Sequence, residues 1–213
     1  MPVKHPIFAR LYTRVSKTME RSGMAEYRRT LLAGLSGTVV EVGAGNGLNF
    51  AHYPDTVDRV VAVEPEPYLR QIASANAKQA PVAVDVVDGI ADRLPLADGT
   101  AHGAVVSLVL CSVPDQAVAL REIHRVLTPG GKLHFLEHVQ AESRRMQRLQ
   151  RVLDSTIRPY LTGGCHAGRD TASMIERSGF TIDQLESFDF PDPRSLSARH
   201  ILGTATRTDP GQS

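Results

Sequence analysis

The sequence predicts an α/β fold with a doubly wound, seven-stranded mixed sheet, and two patterns carry this prediction. Between residues 38 and 139, short apolar runs alternate with stretches of helical periodicity, as in parallel strands joined by crossover helices. Near the end, the strand-like runs 180–190 and 198–208 have only a Pro-rich loop between them. A connection without a helix predicts an antiparallel pair, which we place at the edge of the sheet.

Each element has its own signal in the sequence. Apolar residues at helical spacing predict helices in residues 5–34, with a break at Ser22-Gly23. Asp115 is the expected N-cap of a central helix, and residues 143–161 are expected to form a long amphipathic helix. The other predicted elements are strands at 38–43, 59–64, 82–88, 103–113 and 132–139, helices at 48–52, 67–79 and 115–127, and a short helix that starts near Asp170.

Composition sets bounds on the class of protein. The 213 residues fit one domain, 1–213, and the net charge of +1 provides no field that selects nucleic acid. Two cysteines make no disulfide framework and fit a reducing compartment. The longest apolar run, 103–113, is too short to span a bilayer, and no signal peptide is recognisable. We expect a cytoplasmic protein without a stable membrane anchor or nucleic-acid partner, and the oligomeric state stays open.

A glycine-rich stretch, VVEVGAGNGLNF at 39–50, marks the predicted ligand site. Gly43, Gly45 and Gly47 follow the first strand, at the carboxyl edge where open α/β sheets bind ligands. Their G-x-G-x-G spacing differs from the nicotinamide fingerprint G-x-G-x-x-G, and no Gly-Lys-Ser/Thr of a P-loop follows. Glu41, two residues before the first glycine, would repel a pyrophosphate and suits a ligand with an ammonium or sulfonium group.

Residues 41–47, EVGAGNG, resemble the first motif of class I S-adenosylmethionine-dependent methyltransferases. Later motifs of the same superfamily follow in order: VVAVEPEP at 60–67, VVDGIADRLPLADGT at 86–100 and RVLTPGG at 125–131. More narrowly, LVLCSV at 108–113, LEHV at 136–139 and GGCHAGRDT at 163–171 resemble the methyltransferase-like thiol S-methyltransferases of animals and their bacterial relatives. The resemblance covers roughly residues 38–206. It implies a Rossmann-like class I methyltransferase fold in which 1–36 form a helical lid, 37–139 the cofactor-binding core, and 140–213 the C-terminal helices and edge strands.

The resemblance implies S-adenosylmethionine as cofactor, bound by successive strand ends. Glu64 would accept hydrogen bonds from both ribose hydroxyls, for which a carboxylate has the lone pairs. Asp88 would meet the exocyclic amine of adenine, and Glu41 would orient the amino group of the methionine part. Taken singly, Glu64 also fits a solvated acid at a strand end, and Asp88 the start of an Asp-Gly turn. The other implied contacts are Gly43, Ala44, Gly45 and Gly47 along the methionine part, Pro65 beside Glu64, Gly89 and Ile90 around adenine, and Ser107 and Leu108 facing the methionine.

The candidate catalytic pair is Glu137-His138, at the end of the fifth strand and the rim of the cleft. Methyl transfer chiefly requires alignment of the acceptor and exclusion of water, and a base is useful where the acceptor must lose a proton. The imidazole of His138 is suited to that role near neutral pH. Alternatively, one of the two side chains packs inward while the other caps a neighbouring element.

Three further residues are candidates for contact with the methyl acceptor. Tyr12 on the N-terminal helix could close over the sulfonium, or merely belong to a helix packing face. Cys165 and His166 lie on a Gly-rich loop that could cover the acceptor, or form a turn before the helix that Asp170 caps. Cys111 is expected to be an inert core residue. The cysteines and histidines lack ligand spacing, so no metal site is predicted.

The sequence as a whole predicts an enzyme that methylates a small, fairly apolar acceptor. The acceptor is a thiol by resemblance, with a phenol, a quinol or a heterocycle nitrogen as further options. Two other functions stay open at this point. A nicotinamide-dependent oxidoreductase is disfavoured by the glycine spacing and the edge hairpin, and a non-catalytic S-adenosylmethionine-binding protein would require an assay with a genuine acceptor to separate it from an enzyme.

Overall fold

In the computed structural model, seven strands form one sheet in the order β3-β2-β1-β4-β5-β7-β6. The structure describes residues 6–141, 143–154, 165–166, 168–191 and 199–208. The strands are β1 (Gly37–Val42), β2 (Val57–Val63), β3 (Ala83–Val87), β4 (Ala101–Ser107), β5 (Leu127–His138), β6 (Phe180–Asp189) and β7 (Arg199–Arg207). Strands β1 to β5 pair in parallel with their neighbours, whereas β7 is antiparallel to both β5 and β6. The mixed sheet and its antiparallel edge pair are therefore confirmed.

The predicted helices are present with shifted ends. The N-terminal break is confirmed at Gly23, whose φ of 115° interrupts the helical backbone. Asp115 caps its helix by accepting hydrogen bonds from two amides, and Asp170 caps the short helix that follows it. The helices are α1 (Pro6–Met19), a π-helical segment (Glu20–Met24), α2 (Ala25–Leu32), a 3₁₀ turn (Phe50–His52), α3 (Pro67–Ala77), α4 (Gln116–Val126), α5 (Arg144–Asp154) and α6 (Thr171–Arg177). The remainder of the helix predicted at 143–161 lies outside the described residues.

Apolar clusters cover both faces of the sheet. Side chains alternate along β1, so Val40 lies in one cluster and Val39 in the other. The first cluster includes Leu120 of α4, and the second includes Leu31 of α2 and Ala73 of α3. Helices on both faces confirm the doubly wound architecture. They leave the carboxyl edge of the sheet, where β1, β2 and β4 end side by side, as the place for a ligand.

Strand β4 is shorter than predicted, and the difference shapes the site. The apolar run 103–113 suggests one buried strand, but β4 ends at Ser107. Leu108 has a left-handed φ of 61°, which turns the chain out of the sheet into a loop, 108–113. The amide of Leu108 still donates to the carbonyl of Leu136 in β5. The next three amides, those of Val109, Leu110 and Cys111, donate instead to a buried carboxylate, Glu137. A buried loop can therefore be as apolar as a strand when a side chain satisfies its backbone.

Candidate active site

A cavity of about 310 Å³ lies at the carboxyl edge of the sheet. The ends of β1, β2 and β4 border it because these parallel strands are neighbours. Most of the sequence-predicted cofactor residues line this cavity, together with one residue of α1. These are Tyr12, Gly43, Gly45, Glu64, Pro65, Gly89, Ile90, Ser107 and Leu108.

Glu64, directly after β2, is a buried acidic group of the cavity wall. Its carboxylate is buried, with Oε2 accepting the N–H of Gly45 at 2.7 Å and Oε1 accepting the N–H of Glu66 at 2.8 Å. Burial raises the pKa of Glu64, and the two backbone N–H groups oppose that shift. Each oxygen keeps a further lone pair, so the carboxylate can accept two hydrogen bonds from a ligand.

The glycine turn after β1 brings bare backbone to the cavity. Gly43 and Gly45 have φ values of 67° and 58°, in the left-handed region that glycine adopts without strain. A Cβ at Gly45 would lie 3.3 Å from the ring of Tyr12, and one at Gly43 would lie 2.6 Å from Val109. The absence of these Cβ atoms lets α1 and the 108–113 loop approach the turn closely.

Glu41 lies behind the turn in a buried polar network. Its carboxylate accepts hydrogen bonds from Asn49 Nδ2 at 2.8 Å and from the Tyr53 hydroxyl at 2.7 Å. Burial raises the pKa of Glu41 to about 7, against the effect of these two donors. Arg28 of α2 donates to Asn49 Oδ1 at 2.6 Å and to Ser107 Oγ at 3.3 Å. The network therefore connects the N-terminal helices to Ser107 on the cavity wall.

Some predicted cofactor residues do not line the cavity. Ala44 and Gly47 are buried in the turn, where a Cβ at Gly47 would lie 2.5 Å from Phe50. The side chain of Asp88 is 73% exposed and pairs with Arg70 Nη1 at 3.0 Å.

Glu137 is fully buried and supports the cavity wall. Its carboxylate accepts the N–H groups of Val109, Leu110 and Cys111 at 2.9, 3.0 and 3.2 Å. Burial raises the pKa of Glu137 to about 7, while the three N–H groups act in the opposite direction. The side chain points into the interior, as the alternative interpretation of the Glu137-His138 pair allowed.

His138 meets two cysteine side chains. Its Nδ1 lies 3.8 Å from Cys111 Sγ and 3.9 Å from Cys165 Sγ, and the three atoms all lie within 4.8 Å of one another. His166 joins the same region, because its N–H donates to the carbonyl of Cys111 at 2.8 Å. Their wide separation along the chain explains why the sequence predicted no metal site: each cysteine is 27 residues from His138.

Sequence reasoning missed about half of the cavity wall. Glu66 could have been found as the cap of α3, since it accepts the N–H of Leu69. The residues of the 108–113 loop were missed because the sequence predicted them as part of a strand, 103–113. Val42 and Val63 were missed because an apolar residue at a strand end does not by itself indicate a ligand site. The missed residues are Val42, Val63, Glu66, Leu69, Ala91, Asp92, Val109, Ser112, Val113 and Pro114.

Comparison with known proteins agrees with this fold. A sequence family described as a methyltransferase domain matches residues 40–135. The S-adenosylmethionine-dependent methyltransferase of Mesorhizobium loti superposes with a TM-score of 0.63 at 20% identity, covering 87% of this chain and 98% of that one. Together with relatives at 35% identity over most of the chain, these matches show that the chain belongs to the class I S-adenosylmethionine-dependent methyltransferases, and S-adenosylmethionine is its cofactor.

Within this class, the chain is similar to two mammalian thiol S-methyltransferases. It is 35% identical to human thiol S-methyltransferase TMT1A over 181 residues, which cover 82% of this chain and 73% of the relative. It is 36% identical to mouse thiol S-methyltransferase TMT1B over 181 residues, or 83% and 74% of the two chains. These relatives do not favour the nicotinamide-dependent or non-catalytic alternatives.

The helices of the described region differ from membrane-spanning helices in length and apolar character. Among them, none is both long enough and apolar enough to span a membrane.

Proposed function

We propose that this methyltransferase transfers the methyl group to the sulfur of a small, apolar thiol. One observation carries the proposal: a single cavity combines the buried Glu64 carboxylate with an apolar wall formed by Leu108, Val109 and Val113. The carboxylate suits the polar cofactor, and the apolar wall suits an acceptor without charge. The names of the mammalian relatives support sulfur as the acceptor atom.

The proposed cofactor contacts follow from the polar atoms of the cavity. Glu64 would hold the ribose hydroxyls with the lone pairs that Gly45 and Glu66 leave unused. Gly43 and Gly45 would allow the methionine part to lie against the backbone, and Glu41 would act on its amino group from behind the turn. Pro65, Gly89 and Ile90 would enclose the adenosine, with Asp88 at its outer end. The methionine part would also contact four further residues that the sequence predicts for it: Ala44, Gly47, Ser107 and Leu108.

The protein contributes positioning and exclusion of water. When bound, S-adenosylmethionine supplies a methyl group on a positively charged sulfur, which leaves as a neutral thioether. Tyr12 would close the cavity from α1, and the 108–113 loop would align the acceptor. Alignment of this kind can lower a barrier by several kcal/mol, up to about 7–11 kcal/mol in ideal cases. An apolar wall also strips water from the nucleophile.

The acceptor must lose its proton, because the thiolate is the nucleophilic form of a thiol. The proposed base is His138, with Glu137 directly preceding it. Glu137 would act by fixing the loop whose amides it accepts, and Cys165 and His166 would border the acceptor. The cytoplasmic location and the lack of a nucleic-acid partner stay predictions.

The experiment that tests this function compares acceptor atoms on one carbon skeleton. Thiophenol, phenol and aniline are each incubated with the protein and with S-adenosylmethionine labelled in its methyl group. We expect labelled methyl phenyl sulfide from thiophenol, in amounts that exceed those from the other two by at least tenfold. Preferential methylation of phenol or aniline would contradict the acceptor assignment. A protein that binds the cofactor and methylates none of a wider panel of thiols, phenols and amines would favour the non-catalytic alternative.

A further inference from the structure

We propose that Cys111, His138 and Cys165 form a binding site for a thiophilic divalent cation such as Zn²⁺, whose fourth position takes the acceptor sulfur. The three side chains come from separate segments: the loop after β4, the end of β5 and the segment before α6. The metal site stands independently, whereas the assignment of its fourth ligand rests on the proposed function.

The distances fit a tetrahedral ion. With Zn–S bonds of about 2.3 Å and Zn–N bonds of about 2.0–2.1 Å, tetrahedral geometry places a sulfur and a nitrogen ligand about 3.6 Å apart. His138 Nδ1 lies 3.8 Å from Cys111 Sγ and 3.9 Å from Cys165 Sγ. All three atoms fall within 4.8 Å of one another, so side-chain shifts of at most about 1 Å would close them around an ion.

The chemistry of the three groups favours the same conclusion. One imidazole nitrogen faces two thiols that also contact each other, so one nitrogen and two sulfur atoms converge on the same small volume. A cation placed among the three would engage all of them at once. Two thiolates and a neutral imidazole also balance the charge of a divalent ion, which suits a site where Cys111 and Cys165 are both buried.

The surroundings hold the ligands in place. Glu137 accepts the N–H of Cys111 at 3.2 Å, and the carbonyl of Cys111 accepts the N–H of His166 at 2.8 Å. These bonds link the segments that carry all three ligands. Supports of this kind orient metal ligands and raise affinity.

The site adjoins the proposed acceptor region. Cys111 Sγ lies 3.5 Å from the hydroxyl of Ser112, and Ser112 lines the cavity. Since the described residues supply three ligands, a tetrahedral ion has one position for a further ligand, as in catalytic zinc sites. With an ion present, His138 would be a metal ligand and a metal-bound hydroxide would take its place as the base. An acceptor thiol would displace this hydroxide, its sulfur would bond to the metal, and its proton would leave with the hydroxide as water. The acceptor is then held as its thiolate, the form that attacks carbon.

Cobalt(II) provides the direct test, because thiolate ligation gives Co²⁺ an intense near-ultraviolet charge-transfer band. Reduced, metal-free protein without a polyhistidine tag is titrated with Co²⁺, then with Zn²⁺ in competition. We expect the band to saturate at one equivalent and Zn²⁺ to remove it. Cys111→Ser, Cys165→Ser and His138→Gln should each weaken binding by about tenfold or more. His102→Gln, at an exposed histidine whose Nδ1 accepts the N–H of Thr38, is the matched control and should bind as the wild type does.

Two results would overturn the metal site: no charge-transfer band at one equivalent in the wild type, or undiminished Co²⁺ binding by both cysteine variants. The fourth ligand is tested by adding thiophenol to the Co²⁺ form, which should change the visible spectrum. It is also tested by comparing thiophenol methylation by metal-free and Zn²⁺-loaded protein. Equal rates would refute the fourth ligand while leaving the proposed function intact. If neither form methylates any thiol, the proposed function fails, and the cobalt band still decides whether the metal site exists.

Discussion

The carboxylate of Glu64 accepts the backbone N–H of Gly45 at 2.7 Å. The acid that ends β2 is thereby fixed to the glycine turn that follows β1. Two neighbouring strands thus share one rigid polar corner, and a ligand bound there would meet a carboxylate and bare backbone together.

Substitution of Gly45 separates backbone strain from contact with the cavity. Gly45→Ala places a Cβ 3.3 Å from Tyr12 at a residue with a φ of 58°, whereas Gly130→Ala has a φ of 72° and no atom within 4 Å. Both variants should lose about 1–2 kcal/mol of unfolding free energy, because an L side chain is strained at positive φ. Calorimetric titration should show weaker S-adenosylhomocysteine binding for Gly45→Ala alone. Equal affinities would mean that the turn does not touch the cofactor.

Arg28 should be far more important for stability than its neighbour in sequence. Arg28 is buried between Glu20, Asn49 and Ser107, while the side chain of Arg29 is 57% exposed beside Glu26. A lysine cannot replace the several donors of the guanidinium group. We expect Arg28→Lys to lower the unfolding free energy by about 3 kcal/mol and Arg29→Lys by about 0.5 kcal/mol or less. Urea denaturation measures both, and similar losses would show that the buried network contributes little.

The buried Glu137 should make stability depend on pH. Burial raises its pKa to about 7 in the folded protein, so the folded state holds the proton more tightly than the unfolded chain. The contribution of this raised pKa to the unfolding free energy is fully present below pH 4–5 and is lost as the pH rises through 7. The wild type should therefore lose on the order of 3 kcal/mol relative to Glu137→Gln between pH 5 and pH 8.

Glu122 is the control for this pH effect, because a hydrogen bond from Arg125 lowers its pKa. The stability it contributes is already complete above its unfolded pKa and is lost only as the pH falls through the lowered value. The difference between wild type and Glu122→Gln should therefore stay constant from pH 5 to pH 8. Urea denaturation curves of the wild type and both variants at four pH values between 5 and 8 measure these differences in unfolding free energy. A constant difference for Glu137→Gln as well would contradict its raised pKa.

The sheet, Glu64 and Gly45 could be predicted because their signals in the sequence are local, whereas the hydrogen bond between Glu64 and Gly45 was not predicted. Strands and helices alternate in hydrophobic period, and Glu64 and Gly45 each follow an apolar strand. The end of β4 was predicted wrongly, since Leu108 to Val113 are as apolar as a strand. Their turn depends on Glu137, a distant carboxylate whose contacts exist only after folding. The meeting of Cys111 with His138 is equally non-local, so spacing along the chain could not reveal it.

Asp88 provides a test of the adenine assignment taken from the family resemblance. Its exposed carboxylate pairs with Arg70 at 3.0 Å, and the exposed carboxylate of Asp98 forms a similar pair with Arg125 at 2.6 Å, away from the cavity. Asp88→Asn should weaken S-adenosylhomocysteine binding by about threefold to tenfold, the usual range for one exposed hydrogen bond. Asp98→Asn should leave the affinity unchanged. Equal affinities for all three proteins would remove Asp88 from the site.

The measurement that tests the site most directly is the affinity of Glu64→Gln for S-adenosylhomocysteine and for its 2′-deoxy analogue. The account predicts that the substitution weakens S-adenosylhomocysteine binding by about tenfold to a hundredfold, as expected for hydrogen bonds to a charged group. It should weaken binding of the analogue distinctly less, because the analogue lacks one of the two hydroxyls. Calorimetry that finds the same dissociation constant for wild type and Glu64→Gln, with both ligands, would contradict the assignment of this carboxylate to the ribose.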